Sequence, residues 1–185
     1  MDSNANLKMY SIAVENLAFF NSEHIFRNSS RNHAAIVVST MLKYSKDEFR
    51  IYDNNLSGDI ADKFYQFYIN LNKFVEIGKF IKIVVDDISD FNCEIYKKLK
   101  VLHSTHPNKV FLAISDKIFR DNIFKLYKSN LNFAIGDKKS FRLEEINVNK
   151  KIEERKAFCC FNNDKYPNQL INIFDNNFGT CKSVF

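Results

Sequence analysis

A regular alternation of short apolar segments and longer amphipathic segments between residues 32 and 129 limits the possible folds more than any other feature of this chain. Three segments have the length and composition of strands, namely EFRIYD (48–53), KFIKIVVDD (79–87) and KVFLAIS (109–115). Segments with helical periodicity flank or separate them, at 32–44, 60–77, 90–102 and 116–129. Strands and helices in this order, with short connections, predict an α/β sheet with right-handed crossovers.

The pattern changes after residue 130. Segments 131–136 and 139–145 predict a β-hairpin whose turn is at Gly136 and Asp137, KAFCCF (156–161) predicts a further strand, and PNQLINIFDNNF (167–178) predicts a terminal helix. The predicted fold is an α/β domain with a mixed sheet flanked by helices, in the order βαβαβα, then β-hairpin, strand and helix. No internal repeat or linker divides the chain, so we assign residues 31–185 to this domain and residues 1–30 to an N-terminal extension.

Three predicted helices have a residue suited to their start or end. Ser29 or Ser30 can cap the start of the helix at 32–44, Gly78 can end the helix at 60–77, and Ser89 or Asp90 can cap the start of the next helix. HSTHPN (103–108) is predicted as a loop. Its two histidines are expected at the surface and not as metal ligands, because no carboxylate or cysteine stands at ligand spacing. His33, in the first turn of its helix, is expected to be structural or exposed.

Composition and charge exclude several classes of protein. With 45% hydrophobic residues, 4 Gly and 2 Pro among 185 residues, the chain is expected to fold. The net charge of +5 is spread along the sequence and indicates a solvated surface more than a nucleic-acid site. We find no secretory signal and no stretch long enough to span a membrane, which predicts a cytoplasmic protein. The four cysteines form neither a zinc spacing nor a disulfide framework, so we expect buried thiols and no cofactor.

Three phrases, in this order, resemble the phospholipase D-like domain of small single-domain bacterial proteins. They are a helix leading into EFRIYDNNLS, the buried strand KIVVDD, and NFAIGDKKSFRLE followed by AFCCFNND and a closing helix. The resemblance covers about residues 30–178 and implies the α/β topology of that family.

The motif of that family is His-x-Lys, followed after four residues by Asp, and the resemblance places it on NFAIGDKKSFRLE. In the family, the histidine attacks a phosphodiester to form a phosphohistidine, the lysine neutralises phosphoryl oxygens, and the aspartate orients a histidine. At the matching positions this chain has Asn132, Ala134 and Lys139, and the segment contains no histidine. The resemblance therefore implies a degenerate motif without catalytic residues. Active members combine two motifs, and a homodimer of this chain would only repeat the loss.

A phospholipase D-like module that acts by binding is the function we expect from this resemblance. The expected partner is a protein, either a second copy of the chain or a component of a bacterial multi-protein system, and no membrane is involved. Binding of nucleic acid is an alternative. Lys138, Lys139 and Arg142 are the candidate anion-binding residues, although aromatic residues do not interleave with them as an RNA-stacking surface would require.

The enzymatic alternative depends on acidic residues at strand ends. They are Asp53, Asp86, Asp87 and Asp116, which would meet at one edge of a parallel sheet and could hold Mg²⁺ in a metal-dependent nuclease or phosphodiesterase. Acidic and hydroxyl side chains at such junctions also commonly cap the next helix, and Asp116 is in position to do so. We therefore lean against an enzyme.

Overall fold

The computed structural model describes residues 3–56, 65–88, 92–146 and 157–185. In chain order, the elements of these ranges are α1 (Ser3–Phe19), β1 (Phe26–Asn28), α2 (Arg31–Tyr44), β2 (Glu48–Asp53), α3 (Tyr65–Glu76), β3 (Phe80–Val85), α4 (Glu94–Thr105), β4 (Val110–Ile114), α5 (Lys117–Tyr127), β5 (Asn130–Gly136), β6 (Ser140–Ile146), β7 (Ala157–Cys160), α6 (Lys165–Phe178) and β8 (Lys182–Ser183). The predicted order of elements is confirmed.

All of these strands form one mixed sheet, in the order β1-β7-β6-β5-β2-β3-β4-β8. The strands β2, β3 and β4 are parallel, and the helices between them supply the crossover connections that parallel strands need. The hairpin of β5 and β6 is antiparallel, and β5 pairs with β2 in the opposite direction. The segment after α5 therefore returns the chain to the centre of the sheet, beside the first of the parallel strands.

Apolar side chains cover both faces of the sheet, because successive residues of a strand point to opposite sides. One core lies between the sheet and the helices α1, α2, α3 and α4, and it includes Val38, Leu71 and Leu99. A second core lies under α5 and α6, and it includes Phe119 and Phe174. Mixed α/β layers of this kind, with helices on both faces, agree with the predicted fold class.

Residues expected as an N-terminal extension contribute to both the sheet and the core. Val14 and Ala18 of α1 are buried in the first core, and β1 pairs with β7 at one edge of the sheet. Strand β1 is not predicted from the sequence, because a strand of three residues carries too little periodicity to be recognised.

The ends of α2, α3 and α4 lie near residues that the sequence predicts to cap or end helices. Ser30 caps α2, accepting a hydrogen bond from the backbone N–H of His33, and Gly78 follows α3 with a φ of 88°. Two of these predictions lie outside the described residues, namely the start of α3 at residues 60–64 and the capping residues Ser89 and Asp90. In the structure, Cys93 precedes α4, and its side chain makes no capping hydrogen bond.

The predicted loop at 103–108 is wrong in its first half. The helix α4 continues to Thr105, where the backbone N–H of His106 donates to the carbonyl of Leu102 and completes one further turn. His103 therefore belongs to a helix, and its Nδ1 lies 2.8 Å from the carbonyl oxygen of Val110. Among the described helices, none is long and apolar enough to cross a membrane.

Candidate functional site

Two of the three motif positions lie in the middle of the sheet. Asn132 and Ala134 are both buried on β5, with exposed fractions of 5% and 3%. Ala134 is paired with Ile51 of β2 on one side and with Arg142 of β6 on the other. The Oδ1 of Asn132 accepts a hydrogen bond of 3.1 Å from the backbone N–H of Asn54. Asn132 therefore holds the end of β2, and Ala134 leaves space opposite a buried arginine.

The third motif position is at the other end of the hairpin. Lys139 lies in the turn between β5 and β6, beyond Gly136, which is paired with Phe49 near the start of β2. Asn132 lies at the opposite end of β5, beside the end of β2. The strand thus separates Lys139 from the other two positions, and the three residues do not form one group.

The candidate anion-binding residues are divided between the surface and the interior. Lys138 and Lys139 are exposed in the hairpin turn. Arg142 is only 5% exposed, and its guanidinium donates to the Asn28 Oδ1 over 3.2 Å and contacts the Glu144 carboxylate at 3.5 Å. The charge of Arg142 is therefore compensated inside the protein and is not presented together with the two lysines.

The helix α1 covers this buried polar group. The ring of Tyr10 stacks on that of His33 with centroids 3.7 Å apart. Burial raises the pKa of the Tyr10 hydroxyl, the nearby Cys159 thiol acts in the same direction, and the charge of Arg142 opposes them. Burial likewise lowers the pKa of His33 and raises that of Cys159 to about 12, so both are neutral at pH 7.

The cavity that remains at the motif is small. Its volume is about 20 Å³, and its lining includes Asp53, Ala134 and Arg142. A volume of this size admits roughly one water molecule and no phosphate group. Tyr10 and Asn28 were not included in the predicted site, because contacts across more than 100 residues leave no local pattern. Glu144 was also missed, although it lies two residues from Arg142 on the same face of β6 and the alternation of that strand could have indicated it.

The strand-end aspartates are engaged in separate local interactions. Asp116 caps α5, since its Oδ1 accepts a 2.7 Å hydrogen bond from the backbone N–H of Phe119. Asp86 accepts hydrogen bonds from the hydroxyls of Tyr52 and Ser115, and Asp53 accepts one from the backbone of Asn55.

The fourth of these residues, Asp87, is exposed. Within the described ranges, no group of three or more His, Cys, Asp or Glu residues is placed to hold a metal ion. The geometry therefore gives the alternative of a Mg²⁺ site at these aspartates no support.

A wider cleft of about 700 Å³ lies at the turn of the hairpin. It is lined by the end of α1, the connection between α2 and β2, and the β5–β6 turn. Its charged residues are balanced in sign, namely Lys46, Lys138 and Lys139 against Asp47, Glu48 and Asp137. A phosphate backbone favours an excess of positive charge, which this cleft does not have.

No protein-family model and no curated protein sequence matches this chain. Solved structures do match. TrmBL2, described as an archaeal chromatin protein with a novel mode of DNA binding, has a TM-score of 0.63 and 14% identity, over 98% of this chain. This chain spans 63% of the length of TrmBL2.

Two further structures match along nearly their whole length. Nuc from Salmonella typhimurium, a phospholipase D family member, has a TM-score of 0.60 and 12% identity, over 86% of this chain and 97% of its own. NucT from Helicobacter pylori has a TM-score of 0.57 and 12% identity, over 86% of this chain and 99% of its own. At these identities the likeness is one of fold, and it confirms the phospholipase D-like fold that the sequence predicted.

Proposed function

We propose that this chain, whose fold is phospholipase D-like, acts by binding a protein partner and does not cleave phosphodiesters. The observation that supports this proposal is the composition of the buried motif strand. Asn132 and Ala134 occupy its core positions, and the cation opposite them, Arg142, is compensated by Glu144. A module of this kind would serve as a subunit or scaffold in a bacterial multi-protein system.

The chemistry of the family is not available at these positions. An amide such as that of Asn132 is a very poor nucleophile toward phosphorus, and it already accepts a hydrogen bond from the backbone. The methyl group of Ala134 cannot stabilise a developing negative charge. With only about 20 Å³ of free volume there, a phosphodiester also has no room beside them.

A protein partner is favoured over nucleic acid by the surface. Large apolar side chains are exposed on α1 and at its end, including Met9 at 70% and Phe20 at 74%. Exposed apolar groups of this size are typical of protein–protein contact surfaces. The three lysines of the cleft at the hairpin turn, in contrast, are matched by three acidic residues.

An assay of hydrolysis tests the first part of the proposal. The full chain is incubated with bis(4-nitrophenyl) phosphate and with DNA, each with and without Mg²⁺, beside an active phosphodiesterase. We expect no product above the buffer control. Turnover that requires Mg²⁺ and disappears in Asp86→Ala would replace the proposal with the metal-dependent enzyme.

A binding assay tests the second part. The fluorescence anisotropy of labelled DNA at low salt is measured with the natural chain and with the double variant Lys138→Glu/Lys139→Glu. In parallel, complexes that contain the chain are isolated from the native cell, and their masses are measured. We expect a protein complex of defined mass and no change in anisotropy. DNA binding that weakens with salt and is lost in the double variant would assign nucleic acid as the partner instead.

A further inference from the structure

The helix α1 is apolar on two opposite faces. Its inner face, which includes Tyr10, Val14 and Ala18, packs against the rest of the protein. At 100° per residue, the opposite face carries seven exposed residues, which we call the outer stripe: Ala5, Met9, Ile12, Ala13, Asn16, Phe19 and Phe20. The backbone N–H of Phe20 donates to the carbonyl of Asn16, so the helical geometry includes this last residue.

The outer stripe contains no charged residue. The charged side chains of α1, Lys8 and Glu15, lie to one side of it, and Glu15 is bonded to Lys43 and to the hydroxyl of Tyr44 on α2. The large members of the stripe are 54% to 74% exposed. Because large apolar side chains on an open helix face are commonly covered by another protein surface, a second surface is expected to cover the outer stripe.

We propose that the outer stripe is covered by the outer stripe of a second copy of this chain, packed antiparallel about a two-fold axis. The inference rests on the proposed function, because it names the protein that is bound. In a two-fold interface the same surface serves both partners and must be complementary to itself.

The order of residues along the stripe has this self-complementarity. With the axis between Ile12 and Ala13, residue 12 faces residue 13 of the second copy, residue 9 faces residue 16, and residue 5 faces residue 20, while Phe19 faces the exposed Asn6 beside the stripe. Each of these pairs sets a larger side chain against a smaller one, namely Ile12 against Ala13, Met9 against Asn16 and Phe20 against Ala5. Large side chains facing small ones allow two helices to approach closely, as in close-packed interfaces.

The available area and charge are also suited to a dimer. From about 150–250 Å² per aromatic side chain, the exposed parts of Phe19, Phe20, Met9 and Ile12 supply roughly 500 Å² per copy, or about 1,000 Å² in total, the lower bound of specific interfaces. Because the stripe is uncharged, two copies approach without like charges facing each other across the axis. A strongly charged partner would find no complementary group on it.

The test measures the mass of the full chain in solution by sedimentation velocity at micromolar concentration. We expect about twice the chain mass of 21.7 kDa. In a dimer of Ile12→Glu, one negative charge from each copy would lie beside the axis, and in a dimer of Ile12→Lys, one positive charge from each copy. Because like charges repel, each variant alone is expected to be a monomer with half the mass of the natural dimer. An equimolar mixture of the two variants brings opposite charges together and is expected to recover the dimer.

Val101→Glu is the matched control, because Val101 is an apolar residue of α4 with 64% exposure. It is expected to remain dimeric, and circular dichroism checks that every variant is folded. A monomeric natural chain, or a dimer that persists in Ile12→Glu, would overturn the inference. Neither result contradicts the proposed function. That proposal fails only if the purified natural chain cleaves phosphodiesters or binds DNA instead of protein.

Discussion

The hairpin turn is organised by a single side chain, that of Asp137. Its carboxylate accepts hydrogen bonds from three consecutive backbone N–H groups, those of Lys46, Asp47 and Glu48, at 2.8, 3.0 and 3.2 Å. Its own backbone has a φ of 51°, a left-handed conformation that Asp adopts more readily than most residues. The turn is thereby tied to the start of β2, about 90 residues earlier in the chain.

Replacement of Asp137 tests this role. Asp137→Ala removes all three acceptor interactions and leaves a less suitable residue in the left-handed conformation, so we expect the free energy of unfolding to fall by roughly 1–3 kcal/mol. Urea unfolding measures the change. Lys138→Ala, in the same turn and exposed, is expected to change stability little, and equal losses in both variants would contradict the assignment.

Neighbouring Gly136 shows a steric requirement at the same point. A Cβ atom at this position would lie 2.1 Å from the Oγ of Ser45 and 2.5 Å from the Oγ of Ser140. Both serine hydroxyls donate to backbone carbonyls, those of Met41 and Gly136 respectively, and are therefore not free to move. The predicted turn at residues 136 and 137 thus depends on close packing as well as on local turn chemistry.

At the scale of elements, α6 is fixed to the sheet by a buried charge. Arg50 of β2 is 4% exposed, and it donates from Nε and Nη2 to the carboxylate of Asp175 on α6, at 3.0 and 2.6 Å. Lys82 of β3 also reaches this carboxylate at 3.3 Å. Burial alone would raise the pKa of Asp175, but the hydrogen bonds and charges of Arg50 and Lys82 outweigh it and lower the pKa.

This pair predicts a dependence of stability on pH. Because the pKa of Asp175 is lower in the folded state than the ordinary value of 3.8, its contribution is complete above that value and is lost as pH falls through the folded-state pKa. Since the side chain is about one third exposed, we expect Asp175→Asn to lower the free energy of unfolding by only about 1–2 kcal/mol at pH 7.

Urea unfolding of both chains between pH 7 and strongly acidic pH checks this expectation. The difference between them should shrink as the pH falls below 3.8. The control is Asp121→Asn on α5, where the aspartate is exposed and the substitution should have little effect at any pH. A difference that stays constant with pH would exclude the charge of Asp175 as its cause.

At the scale of the whole molecule, α1 belongs to the core that also contains α2, α3 and α4. Val14 of α1 is 1% exposed within that core. We expect Val14→Ala to lower the free energy of unfolding of the entire chain by about 2 kcal/mol, because it removes buried methyl groups and leaves a cavity.

Fluorescence and circular dichroism during urea unfolding measure this change. Both signals should shift together in a single transition, and Lys8→Gln, at an exposed position of the same helix outside the outer stripe, should leave that transition in place. If α1 were an appendage, Val14→Ala would not move the main transition. The result would also decide whether the boundary expected at residue 30 divides two independent parts.

The sequence alone determined those elements whose patterns are local. Alternation in EFRIYD, the continuous apolar run in KVFLAIS and the helical periodicity between them predicted β2, β4 and their helices within a few residues, because these patterns involve residues close together in the chain. The absence of histidine from residues 132–144 also needed no structure, because it follows from residue identity alone.

Only the tertiary structure decided which residues meet. Asn28 reaches Arg142 across 114 positions, α2 packs against the motif strand, and Lys139 lies at the far end of the hairpin from Asn132. Asp116 could have been a ligand or a cap by its spacing, and the direction of its side chain made it a cap. The physical reason is that burial and pairing of polar groups depend on contacts between distant segments, and such contacts leave no periodic trace in the chain.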